Sequence, residues 1–136
     1  KMEVINLKLN NECVRDILLE IESRQNVLFE NFSYDQLQKF DSFSKYGHDQ
    51  FFYCLYRLRE ANYIDFNDRI INSEINALFV SKITWSGHQF LDNIRDDEVW
   101  KKTKKTVSKF SSVSVSILST ISSNVLSQLI KNSLGV

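Results

Sequence analysis

Proline is absent from all 136 residues, and glycine occurs only three times, at Gly47, Gly87 and Gly135. Such a chain has few tight turns and few flexible linkers, so a mostly helical fold is expected. Three isolated glycines also cannot form the loop that cradles phosphates. Cysteine occurs twice, at Cys13 and Cys54, with no CxxC partner. Both sit inside helical apolar patterns and read as buried small hydrophobes in a reducing compartment. With only two histidines, His48 and His88, there is little choice of base, and the abundant serines include no GxSxG. No basic segment followed by an apolar run opens the chain, so a cytoplasmic protein is expected rather than a secreted precursor.

What is present is enough for one domain with a sizeable core: 43% of residues are hydrophobic and 12% aromatic. Lysine plus arginine and aspartate plus glutamate balance at 17 each. Their distribution is uneven. No acid follows Glu98, so residues 100–136 carry six lysines and a charge of +6, while residues 1–99, with 11 bases against 17 acids, carry −6. Acids at a helix start and bases further along it account for part of this by dipole complementarity.

In "NNECVRDILLEIES", Val14, Ile17, Leu18 and Ile21 have helical spacing, with Asn10 or Asn11 as the cap. "MEVINLKL" before it alternates as a short strand. "SYDQLQKFDSF" reads as a second helix capped by Ser33. Gly47 breaks the chain, and "HDQFFYCLYRLREANYI" gives a third helix ending near Asn62, a residue that tolerates the left-handed cap conformation. "YIDF" and "INALFVSKITW" are strands, with "NDRIINSE" between them as a loop or wing. Three helices and a two-stranded hairpin in this order are those of a winged helix-turn-helix. The expected fold is mainly α (α+β), with a winged-helix core over 1–99 and a basic, then serine-rich, helical extension over 100–136.

"TWSGHQFLDNIRDDEVW" gathers one histidine, four acids, an arginine and two tryptophans. His88 and Asp92 have the i, i+4 spacing of metal ligands, but no second histidine or cysteine lies near them in sequence. The segment reads better as a strand ending at Thr84–Trp85, a Ser86 cap, and a helix burying Phe90, Leu91 and Ile94. His88 is then a capping or packing residue. The acids form a solvated face beside Arg95, Lys101 and Lys102. No catalytic residue, metal ligand or cofactor is expected, and the chain reads as a non-enzyme.

"KLNNECVRDILLEIE", "LYRLREANYID", "ITWSGHQFLDNIRDDEVWKKTKK" and the closing "SVSVSILSTISSNVLSQLIKNSLGV" resemble an uncharacterised domain-of-unknown-function family. Prophages and other mobile elements, mainly of Gram-positive hosts, encode it. The resemblance runs from Lys8 onward, and its most specific part is the pattern TWxGHxFLDxIRDDxxW. It implies a winged-helix core, a C-terminal extension and a phage or mobile-element setting. It implies no activity and no catalytic residues. "KMEVIN" departs from the usual start.

Three roles compete. DNA binding in regulation would use the third helix and the wing. The candidate residues are Lys45, Tyr46, His48, Tyr53, Tyr56, Arg57 and Arg69, with Lys101, Lys102, Lys104 and Lys105 supplying phosphate-neutralising charge. Residues 28–66 hold six acids against four bases, which favours the second role, binding of a host or phage protein. The third role is contact with a membrane. Residues 111–130 are uncharged and long enough to span one, but eight serines argue against it. The stripe Ile117, Ile121, Val125, Leu129 instead suggests a helix packed on the first helix of the same chain or on a second copy as a homodimer.

Overall fold

The computed structural model describes residues 7–25 and 31–135. In chain order these form α1 (Asn11–Arg24), β1 (Phe32–Ser33), α2 (Tyr34–Leu37), α3 (Asp41–Tyr46), α4 (His48–Glu60), β2 (Ile64–Ile71), β3 (Glu74–Ile83), α5 (Trp85–Ile94), α6 (Asp97–Val107) and α7 (Val115–Leu134). The fold is mainly helical α+β, with one antiparallel sheet ordered β1-β3-β2. Of the strand expected over 2–9, residues 2–6 lie outside the described residues, and Leu7–Leu9 are not in a strand.

Helix α1 is the centre of the molecule. Asn10 caps it through the amide of Cys13, and Val14, Ile17, Leu18 and Ile21 are fully buried. Each such side chain contributes about 1.5–3 kcal/mol by leaving water. The polar residues of α1 are used as fully as the apolar ones. Arg15 donates to the carbonyls of Ile94 and Arg95 at 2.8 and 2.9 Å, and to Asp97 at 3.0 Å. Glu12 accepts from the Trp100 indole and pairs with Lys104. Glu22 pairs with Arg95, and Asp16 holds Lys45 and Tyr46.

The second expected helix is divided. Ser33 and Gln36 form a reciprocal capping box on α2, and α3 starts afresh at Asp41. The residue before α3, Phe40, has no side chain that can cap, so the cap comes from α1. Glu20 accepts from the Asp41 amide at 2.7 Å and from the Ser42 amide and hydroxyl at 2.9 and 2.7 Å.

Helix α4 ends as its sequence suggests. Asn62 has φ 63°, and the amides of Asn62 and Tyr63 bond back to Arg59 and Leu58. The stretch expected as a loop or wing, 67–74, is mostly strand. Residues Asn72 and Ser73, both with positive φ, alone make the turn, as a two-residue hairpin requires. The hairpin is tied to α4 through Asp68, which accepts from the Tyr56 hydroxyl and from Arg59. The Tyr56 bond, and then Arg59, outweigh burial and hold the Asp68 carboxyl below the ordinary carboxylate range.

Trp85 belongs to α5, not to β3, and the cap is Thr84, whose hydroxyl accepts from Gly87 at 3.0 Å, not Ser86. Phe90, Leu91 and Ile94 are buried as expected. His88 is exposed and is not the cap, so neither a capping nor a packing role fits it. The helix does not run on to Trp100. Asp96 caps a new one by accepting from Glu98 and Val99.

Helix α7 lies against α5 and α6, not against the Ile17–Ile21 edge of α1. Its buried positions are Val115, Leu118 and Ser122. The expected stripe is therefore rotated: Ile117 is 49% exposed, while Ile121, Val125 and Leu129 are half-buried.

Candidate partner-binding surface

Helix α4 buries Phe51, Phe52, Cys54, Leu55 and Leu58. Its opposite side, carrying Asp49, Tyr53, Arg57 and Glu60, lines a groove. One part, of about 340 Å³, is formed by Leu7, His48, Asp49, Phe52, Tyr53, Tyr56, Arg57 and Glu60. The adjoining part, of about 420 Å³, lies between Tyr53, Arg57 and Glu60 on one side and Leu7–Leu9 and Ser112–Ser116 on the other. Around Tyr53, Arg57 and Glu60 this side of α4 is flanked by the chain entering α1 and the chain entering α7, while toward Asp49 it is an open, shallow surface.

The charges in this groove are largely satisfied. Arg57 pairs with Glu60 at 2.7 Å and stacks on Tyr53 at 5.2 Å. His48 sits against Phe52 at 4.8 Å, its ring nitrogens 2.7 Å from the Tyr34 hydroxyl and 3.1 Å from Asp49. Burial, followed by the bond to Asp68, pushes the Tyr56 phenol well up, so it stays a neutral donor. Burial and the Asp16 carboxylate do the same to Tyr46.

The structure brings His48, Tyr53, Tyr56 and Arg57 together along α4. Lys45 and Tyr46 are drawn instead to Asp16 on α1. Arg69 is exposed on β2. The lysines of α6 do not line the groove. Lys104 is held by Glu12, and Lys102 lies 3.5 Å from Glu98, while Lys101 and Lys105 are exposed. Asp49 and Glu60 were missed in the sequence, as were the walls Leu7–Leu9 and Ser112–Ser116. Only the acid at the first turn of α4 and the i, i+3 spacing of Glu60 from Arg57 pointed to either acid. Nothing local marks the walls.

Among the described residues no group of three or more His, Cys, Asp or Glu side chains is placed to hold a metal ion. No helix among them is long and apolar enough to cross a membrane.

Fold and surface together define a mainly helical α+β protein with an aromatic groove along its fourth helix. The chain belongs to the family described as "Hypothetical protein (DUF2513)", whose model matches residues 8–114. The match begins where the sequence resemblance does and stops at Ser114, so α7 lies beyond it. An uncharacterized protein of Haemophilus influenzae is 30% identical over 111 residues, covering 82% of this chain and 86% of that one. No solved structure matches.

Proposed function

We propose that this chain is a non-enzymatic binding protein on a winged helix-turn-helix frame, and that it holds a protein partner against the exposed side of α4. The frame is supported by the order of α1, β1, α2/α3, α4 and the β2–β3 hairpin, with β1 beside β3. The partner class rests on one observation: the exposed side of α4, flanked by other segments only around Tyr53, Arg57 and Glu60, carries Asp49 and Glu60 beside Tyr53 and Tyr56. A helix that reads a major groove must project and must neutralise phosphates. An aromatic strip whose one arginine is already paired and which carries two acids suits a protein segment better.

DNA binding in regulation is the second reading. Exposed Lys101 and Lys105 on α6 favour it, so the contact would be made by α6 rather than α4. The setting we propose, on the family resemblance, is a phage or mobile element acting in the cytoplasm. A pull-down from host lysate, with and without nuclease, separates the readings. The protein reading expects a partner retained after nuclease and weakened at least about tenfold by Tyr53→Ala with Arg57→Ala. Capture that needs nucleic acid, lost with Lys101→Ala and Lys105→Ala together with a flatter salt dependence, would establish the DNA reading instead.

We also propose a homodimer through α7. The support is its exposed apolar set, with Ile117 and Ile130 each 49% and Leu134 71% exposed. Ile130→Asp with Leu134→Asp is expected to give a monomer. Sedimentation of the wild-type chain as a monomer at high micromolar concentration would exclude this dimer.

A further inference from the structure

Strand β2 is an outer strand of the sheet, paired with β3 on one side only. Among the described residues, none of Ile64–Ile71 makes a backbone hydrogen bond outside the pairing with β3. Such an edge is usually blunted by proline, lysine or a bulge. β2 contains neither proline nor lysine. Both register shifts leave the extra residue on β3: Lys82 and then Val80 oppose Asp65 and Phe66, and Ala77 and then Ile75 oppose Arg69 and Ile70. Ser81 and Asn76 are therefore the bulged residues, and β2 itself offers an unbroken row of backbone donors and acceptors.

The side chains along this edge alternate regularly. Ile64 and Phe66 are buried, and Asp68 on the same face is held by Tyr56 and Arg59. Asp65, Asn67 and Arg69 are exposed on the other face. Lys82 lies across β3 from Asp65, yet among the described residues neither Asp65 nor Arg69 forms an ion pair.

This pattern is self-complementary. Directly opposed residues of an antiparallel sheet share a face, so a two-fold axis joining two β2 edges must pass through a residue. An axis at Asp65, Asp68 or Arg69 would set a charge against its own copy, and one at Phe66 would set buried Ile64 against Asp68. An axis at Asn67 sets Asp65 opposite the second copy's Arg69, twice by symmetry, and no other register in β2 opposes unlike charges. It also brings Ile70, 51% exposed, beside the second copy's Ile64.

We propose that the free edge of β2 docks the β2 edge of a second copy of this chain, antiparallel and in the register centred on Asn67, so that two three-stranded sheets become one of six strands. The contact is independent of α7. With one strand a side it belongs to the size class of transient encounters, and alone it leaves the chain a monomer in sedimentation.

Trapping detects such a contact. Opposed Cα atoms of antiparallel strands lie about 4.5–5.5 Å apart, within reach of a disulfide. Cys13 and Cys54 are fully buried, so an added surface thiol reacts alone. Asn67→Cys is made in the full chain carrying Ile130→Asp and Leu134→Asp, which removes the α7 contact, and is oxidised with diamide. Ser111→Cys, exposed and away from the sheet, measures random collision. Asn67→Cys is expected to link two chains at least about tenfold faster than this control. Adding Arg69→Asp, which opposes two acids twice, is expected to return the rate to that of the control. Adding Asp65→Arg to that variant exchanges the charges and is expected to restore fast linking. Asn67→Cys linking no faster than Ser111→Cys would overturn the proposal. So would a rate that Arg69→Asp leaves unchanged or that the charge exchange fails to restore.

Discussion

Replacing Gly87 by alanine is expected to destabilise the protein by about 3 kcal/mol or more, near the upper end for an overpacked site. The reason is backbone, not conformation. A Cβ at position 87 would lie 2.0 Å from the Tyr63 carbonyl oxygen and 2.7 Å from Ile83 Cγ2. The Tyr63 carbonyl cannot step aside, because it accepts the Thr84 amide that closes the sheet onto α5. The first turn of α5 must therefore lift off the chain that leaves α4. Chemical denaturation measures the loss, which corresponds to a fall in Tm of roughly 10 °C for a domain of this size. Ser86→Ala, one residue earlier and exposed, is expected to change stability by less than about 0.5 kcal/mol. A Gly87→Ala variant within about 1 kcal/mol of wild type would mean that α5 does not approach Tyr63 this closely.

Glu20→Ala is the second large effect, expected at about 2 kcal/mol at neutral pH. It removes the acceptor for two amides and a hydroxyl at the start of α3, and the 2.9 Å pair with Arg24. Burial alone would raise this carboxyl, but the bonds from Ser42, Asp41 and Arg24 prevail and hold it below its ordinary value of 4.5. A carboxylate depressed on folding stabilises the folded state above its unfolded pKa. That contribution fades as pH falls through the folded pKa. The gap between wild type and Glu20→Ala should therefore be full at pH 7 and should shrink below about pH 4. Denaturation curves across that range test it. A gap that stays constant with pH would show that the charge on Glu20 contributes nothing.

Most of the helical frame was legible because it is written in local periodicity. Val14, Ile17, Leu18 and Ile21 gave α1 its buried stripe, and Asn62 marked the end of α4 through its tolerance of positive φ. The misreadings arose where tertiary partners decide. Asn67 and Asp68 looked like loop residues because their polarity hides a strand whose Asp68 is spoken for by Tyr56 and Arg59. Register shifts at Asp65/Phe66 and Arg69/Ile70 blurred the two-residue alternation as well. Trp85 carried a strand-like propensity but follows a threonine that caps a helix. The break at Arg95–Asp96 has no glycine or proline to announce it. It is held by Asp96 from within and by Arg15 from α1, and only the first of these had a local signal.

The surface was less legible than the frame. Tyr53, Tyr56, Arg57 and His48 could be placed on one helix by spacing. Which of the lysines would be taken up by acids elsewhere could not be read, because Lys45 and Lys104 are claimed by Asp16 and Glu12 on α1. The walls of the groove likewise come from segments that no period connects to α4.

The dependence of α1 on distant partners also sets a timetable for the newborn chain. Its bonds to Asp97, Trp100 and Lys104 span 82, 88 and 92 residues. During synthesis at roughly 5–20 residues per second, α1 would leave the ribosome about 4–18 s before those partners exist. Throughout that interval its apolar stripe and Cys13 have no finished core to enter. The last third of the chain thus acts as the lock on the first helix, and a ribosome stalled before Asp97 would release a chain primed for aggregation or for a chaperone.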